Sequence, residues 1–270
     1  MMADKPEADV PVLLSAREGA VLILTLNRPA QRNALSEALI AALQAALDAA
    51  GHDPTVRAVI IAARGPAFSA GHDLKEMAPH WNDGDRGRHY FERLMKQCSR
   101  MMQTIVRCPK PVIAEVQGIA TAAGCQLVAS CDLAIAAEGA TFATPGVNIG
   151  LFCSTPMVAL SRNVARKQAM EMLLAGEMVP APRAREIGLV NRVVAAAALR
   201  AETLKLAQLI ASKSRATVAI GKEAFYRQLE LPLSAAYDYA SEVMTRNLME
   251  ADAEEGICAF IDKREPTWQP

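Results

Sequence analysis

Apolar positions in the first half of the chain alternate between two patterns. The runs Ala20–Leu26 (AVLILTL) and Arg57–Ala63 (RAVIIAA) are short and rich in β-branched residues, as strands buried on both faces are. Between them Leu39, Leu43 and Leu47 recur every four residues, with Ser36 placed to cap a helix and Gly51 to end it. Ala78–Gly87 (APHWNDGDRG) is polar and turn-rich, which predicts a mobile loop. A helix of about twenty residues follows and stops before Pro109. Pro111–Val116 predicts a third strand. Gly118 then opens a small-residue stretch leading into a helix around Gly124–Ser130, and Asp132–Ala136 (DLAIA) predicts a fourth strand.

The second half changes character. Asn163 is placed to cap a helix running through Leu174, with Gly176 beyond its end, and Pro182 and Gly188 bracket a shorter helix. LVNRVV predicts a last strand, and from Ala195 onward helical patterns follow one another. The fold class is α/β with a helical C-terminal region, divided softly near Ala195–Arg200 into residues 1–197 and 198–270; no internal repeat is visible.

Composition narrows the function classes. Of 270 residues 51% are apolar, and 29 basic residues balance 29 acidic ones, so neither disorder nor a polyanion partner recruited by net field fits. That predicts no nucleic-acid partner. The apolar runs fall short of the ~20 residues that cross a bilayer, so no membrane role is expected. The N-terminus, MMADKPEADVP, is acidic and has no apolar stretch behind basic residues, so no secretory leader is read. Six cysteines without a C-x-x-C pair read as reduced thiols, giving the expectation of a cytoplasmic protein. The phosphate loop, the dinucleotide glycine fingerprint, H-E-x-x-H and G-x-S-x-G are all missing, and His52, His72, His80 and His89 lack metal-ligand spacing. No metal is expected.

Two stretches remain. Gly65–Met77 (GPAFSAGHDLKEM) follows a strand and crowds small residues into Ala67–Gly71, where backbone can approach a ligand closely. In Gly118–Leu127 (GIATAAGCQL) a strand gives way to a small-residue turn and a helix start, whose free N–H groups suit a developing oxyanion. Either stretch alone reads as a close-packed turn; two at matching places after strands favour a site.

These stretches, with LNRPAQRNAL, PVIAEVQGIATAAGCQLVASCD and ATFATPGVNIGL, resemble the enoyl-CoA hydratase/isomerase (crotonase) superfamily from about Leu13 to the C-terminus. The run FATPGVNIGLFCSTP points to a particular branch of it. The resemblance implies a spiral of ββα units and a helical C-terminal region that builds homotrimers or homohexamers. It implies an acyl-CoA substrate, with coenzyme A entering as part of that substrate and no separate cofactor. The thioester carbonyl would sit between the backbone N–H groups of His72 and Ala123, with Ala70, Asp73, Leu74 and Lys75 along the CoA-contacting turn. Arg28, Arg32, Lys75, Lys263 and Arg264 are candidates for the phosphates.

The sequence departs from the family at the chemistry. Hydratases of this kind use two glutamates, whose places fall on Gln126 and Gly146. An amide cannot exchange protons near neutral pH and glycine has no side chain, so efficient hydration by that route is not expected. Ser154 lies where some isomerases carry an acid, and Cys153, Asn148, Cys125, Glu115 and the His72 imidazole are nearby alternatives. Ser154 also reads as a helix cap, Cys153 as packing, and Glu115 as half of a salt bridge. Three readings stay open: a hydratase/isomerase-like enzyme with an atypical proton shuttle, a non-catalytic acyl-CoA-binding or structural subunit, and a thioester hydrolase or decarboxylase.

Overall fold

A computed structural model describes residues 10–269, so most of the N-terminal segment read for a leader lies outside the described residues. The chain opens with a hairpin, β1 (Leu13–Glu18) and β2 (Val21–Leu26), followed by α1 (Glu37–His52). Ser36 Oγ accepts the Leu39 N–H, so α1 starts at the expected cap, and its four-residue stripe Leu39, Leu43 and Leu47 is buried. Next come β3 (Ala58–Ala63), β4 (Ala67–Ser69), α2 (Leu74–Met77) and α3 (Arg88–Arg107), then β5 (Val112–Val116), β6 (Ile119–Thr121) and α4 (Ala123–Ser130). A third round brings β7 (Leu133–Ala137), β8 (Thr141–Ala143), α5 (Ser154–Asn163) and α6 (Arg166–Ala175). After β9 (Val179–Pro180), α7 (Ala181–Glu186) and β10 (Arg192–Val194), the chain is helical: α8 (Leu199–Ala211), α9 (Arg215–Gln228), α10 (Leu233–Leu248) and α11 (Ala251–Ile261).

Each round gives its first strand to one sheet and its second to another. The large sheet runs β1-β2-β3-β5-β7-β10, parallel beyond the hairpin, and the small one runs β4-β6-β8-β9. A repeated strand–strand–helix turn that climbs by one position in both sheets is a spiral. The main core lies between the large sheet and α1, α3 and α4, and takes Val112, Ala114 and Val116 from β5. Ile113 points to the opposite face, where Leu204, Leu206 and Ile210 of α8 cover it.

Two local readings are corrected. Ala78–Gly87 is not a structureless loop: Ala78–Asn82 forms a 3-10 helix, His80 stacks on Tyr90 at 3.5 Å, and its Nδ1 lies 2.7 Å from Asp83 Oδ2. Asn163 ends α5 and does not cap the next helix; its amide donates to the carbonyls of Ala129 and Ala159, and α6 starts after Ala165. Among the described residues no helix is long and apolar enough to cross a membrane.

Candidate active site

The turn after β4 is held by the segment between β2 and α1. Ser69 Oγ donates to the Asn33 carbonyl, Ala70 N to the Arg32 carbonyl and Leu35 N to the Gly71 carbonyl at 2.7 Å, while Asp73 N donates to the Leu35 carbonyl. Leu35 thus forms a parallel bridge opposite His72, using the groups on either side of it. In that pairing the N–H and C=O of His72 itself must face away from Leu35. The His72 N–H has no acceptor among the described residues.

The facing element is the start of α4. Ala123 is its first residue, so its N–H is one of the donors that a helix leaves unpaired, and no side chain caps it. Ala122 holds the turn at φ 50°, ψ −119°, a costly conformation for a residue with a Cβ, and is pinned by donating to the Ala143 carbonyl and accepting from Gln126 N. Gly71 lies against this turn: a Cβ placed there would be 2.9 Å from Ala122 Cβ and 3.2 Å from Ala123 N. The φ of Gly71 is +91°, which glycine adopts freely. The two uncommitted amides therefore belong to backbones in direct contact.

Residues of these turns, and of the strand end bonded to them, carry polar side-chain atoms without protein partners. Gln126, one helical turn past Ala123, is 5% exposed, and its Oε1 has no protein partner. Thr144, next to the Ala143 that binds Ala122, is 1% exposed with an equally unpartnered Oγ1. Neither ring nitrogen of His72 meets a protein partner. Burial pushes the His72 pKa below its ordinary value, the nearby Leu35 carbonyl only partly opposing it, so the imidazole is neutral near pH 7. Sequence reasoning missed Thr144. The strand-ending ATFAT offers no sign that its hydroxyl is left without a partner; only tertiary burial reveals it.

Of the remaining binding candidates, five lie at the turn after β4 and two lie beyond α11. Arg28 is committed to a largely buried pair with Asp73 at 2.9 Å and to the Ala34 carbonyl at 2.7 Å, and the other Asp73 oxygen caps α2 through Lys75 N. Leu74 and Lys75 are exposed beside this turn. Arg32 is exposed there too, its carbonyl holding Ala70. Lys263 follows α11, which packs on α9 and α10, and its N–H donates to the Phe260 carbonyl. Arg264 is paired with Glu255 at 2.7 Å.

Ser154 is exposed in the first turn of α5, whose cap position is Cys153, and its hydroxyl reaches only the Phe152 carbonyl at 3.4 Å. Glu115 lies across the large sheet from the cleft, paired with Arg200 of α8 at 3.0 Å. Cys125 is pushed up to about 12 by burial and Cys153 is raised for the same reason, so both thiols stay protonated and are poor nucleophiles.

Comparison with known proteins decides the lineage. Residues 16–270 match the enoyl-CoA hydratase/isomerase family. The chain belongs to this family. It is 46% identical to the "Enoyl-CoA hydratase domain-containing protein 3, mitochondrial" of Rattus norvegicus, over 97% of this chain and 86% of the relative. The solved human enoyl Coenzyme A hydratase domain-containing protein 3 is 46% identical, covering 95% of this chain and all of that one, with a TM-score of 0.90. A solved enoyl-CoA hydratase of Mycobacterium smegmatis is 53% identical, covering 96% and 99%, with a TM-score of 0.91. The crotonase fold and the enoyl-CoA hydratase-like, acyl-CoA-binding character expected from the motifs therefore stand.

The cytoplasmic expectation does not. Relatives from rat, mouse, frog, human and zebrafish all carry the word mitochondrial in their names. Cysteine usage speaks to redox state alone, and composition cannot choose among reducing compartments.

At Gly146, where the resemblance placed a glutamate, packing is tight. A Cβ there would lie 1.9 Å from the Leu151 carbonyl oxygen and 2.9 Å from Cys153 Sγ. Leu151 N in turn donates to the Gly146 carbonyl at 2.9 Å. Main chain fills the space that any side chain at position 146 needs.

Proposed function

We propose that this protein binds an acyl-CoA thioester with its carbonyl oxygen between the N–H groups of His72 and Ala123, and stabilises the enolate that forms there. The observation that carries this reading is the pair of uncommitted amides on touching backbones, each fixed by its own hydrogen-bonded turn. Such preorganised donors contribute about 3–4 kcal/mol to a charge-developing transition state. The reaction is hydratase- or isomerase-like, but its proton transfer does not use paired carboxylates. Gln126 orients and hydrogen-bonds without exchanging protons, and Gly146 contributes backbone alone. Self-association through the C-terminal helices accompanies this role: Phe260, Met249 and Leu233 are 86%, 83% and 76% exposed, apolar area that favours burial.

The blocked space at Gly146 also favours a second reading, a non-catalytic acyl-CoA-binding subunit. One experiment addresses both. Calorimetry with crotonyl-CoA is expected to show binding, and a hydration assay a rate at least about 10²-fold below that of a two-glutamate hydratase run alongside. Binding with no product under any condition supports the subunit reading. Hydration at the ordinary hydratase rate refutes the loss of the paired-carboxylate route, and no binding at all refutes the site.

A further inference from the structure

Where the parallel strands begin, cations collect without anions to match. Arg57 precedes β3, Lys110 lies just before β5, and Lys213 and Arg215 flank the joint between α8 and α9. These four and Ser214 line one small cavity of about 10 Å³. The turns that carry the two amides follow the far ends of β3 and β5. The six residues of β3 span about 20 Å, so the cavity is a separate place.

The joint is held on all sides. Arg57 Nη2 donates to the Lys213 carbonyl, and Lys222 Nζ donates to the Lys110 carbonyl at 3.0 Å. Ser214 caps α9: its Oγ accepts from Thr217 N and donates to Asp252 Oδ2. The N–H groups of Arg215 and Ala216, in the first turn of this 14-residue helix, meet no acceptor among the described residues. A free helix N-terminus therefore starts at the cavity that already gathers the cations.

Lys110 is the group that asks for a ligand. It is 6% exposed and lines the cavity, yet its ammonium meets no carboxylate, carbonyl or hydroxyl among the described residues. Burial, and next the charge of Arg215, push its pKa below the ordinary value. A buried ammonium without a counter-charge is costly. The carboxylates nearby are committed, Asp53 to Arg17 at 3.0 Å and Asp252 to Ser214 Oγ and Gln269 N.

Size and charge define what fits. The cavity has room for about one oxygen-sized atom. A water would solvate the ammonium and leave the four charges unbalanced; a chloride would balance one of them. A tetrahedral oxyanion places one oxygen in the cavity and keeps the others at the mouth for Arg57, Lys213 and Arg215, each of which reaches solvent.

We propose that the α8–α9 joint, with the starts of β3 and β5, is a binding site for a phosphate-type oxyanion, with Lys110 at its base. The site is independent of the acyl-CoA reading above.

The test is calorimetry of the full chain with sodium phosphate and with methyl phosphate near neutral pH, against sodium chloride at matched ionic strength. Saturable binding of one phosphate per chain is expected, and none of chloride. Tighter binding of inorganic phosphate assigns the site to the free ion, and tighter binding of methyl phosphate to a phosphate borne on a larger molecule. Lys110→Met keeps the side-chain length and drops the charge, and is expected to weaken binding at least about tenfold, the scale of one charge-assisted hydrogen bond. Phosphate is expected to raise the urea midpoint of wild type and not that of Lys110→Met. Arg215→Gln, at the mouth, is the second variant and is expected to weaken binding even where Lys110→Met fails to fold. No saturable binding, equal midpoint shifts in phosphate and chloride, or wild-type affinity in a folded variant overturns the site.

Discussion

Gly71→Ala tests the amide pair directly. The new Cβ meets Ala122 Cβ at 2.9 Å, the Thr121 carbonyl at 3.1 Å and Ala123 N at 3.2 Å. Two of these three contacts are with backbone, which cannot swing aside as a long side chain can. Alanine at φ +91° adds strain of about 1–2 kcal/mol, and the overpacking about 1–3 kcal/mol, so a loss of roughly 2–5 kcal/mol is expected. Relief requires the turn after β4 and the start of α4 to part, which separates the two donors. Removing one oxyanion donor typically costs about 10²–10³ in rate, and a misplaced pair should cost at least as much. Urea unfolding followed by tryptophan fluorescence reads the first effect, and calorimetry with butyryl-CoA reads whether the parted donors still hold a thioester. Gly84→Ala is the control, because nothing lies within 4 Å of its added Cβ. If Gly71→Ala matches the control in midpoint and binds butyryl-CoA like wild type, the two backbones are not in contact as described and the site is lost with them.

Two further outcomes test other parts of the structure. Asp132→Ala removes the carboxylate that accepts from Lys222 Nζ at 2.6 Å, Tyr226 Oη at 2.9 Å and Val112 N at 2.6 Å. The Lys222 side chain is 7% exposed, so breaking this pair is expected to cost about 3–5 kcal/mol in urea denaturation and to loosen α9 from the core; a change under 1 kcal/mol contradicts it. His72 titrates lower in the folded protein than its unfolded value of 6.5, so the unfolded chain binds more protons below that value and stability falls as pH drops through 6.5. His72→Gln is expected to flatten that part of the stability–pH curve, and an unchanged slope between pH 6.5 and 5 rules out the buried neutral imidazole.

Long elements were legible because their pattern extends over many turns. The stripe of α1 and the length of α3 follow from periodicity and punctuation alone. The three-residue strands β4, β6 and β8 were not individually readable, since so short a run of small residues has no period, and they become strands only by pairing with one another. Ala78–Gly87 misled because its order comes from the His80–Tyr90 stack, a contact that polarity does not announce. At the site, small residues marked both backbone turns, whereas Thr144 and the main-chain filling at Gly146 are products of tertiary packing. The pairing of Arg28 with Asp73 has the same origin, because sequence lists a cation without showing what holds it.

The crowding beneath Gly146 bears on the redesign of the protein. Position 126 can take an acid by exchanging an amide for a carboxylate of the same length, with no new volume to house. Position 146 cannot take one, because the Leu151 carbonyl oxygen occupies the room its Cβ would need and Leu151 N is tied to the Gly146 carbonyl. An engineer seeking to place a carboxylate at 146 must therefore rebuild the segment from 146 to 153 as a unit.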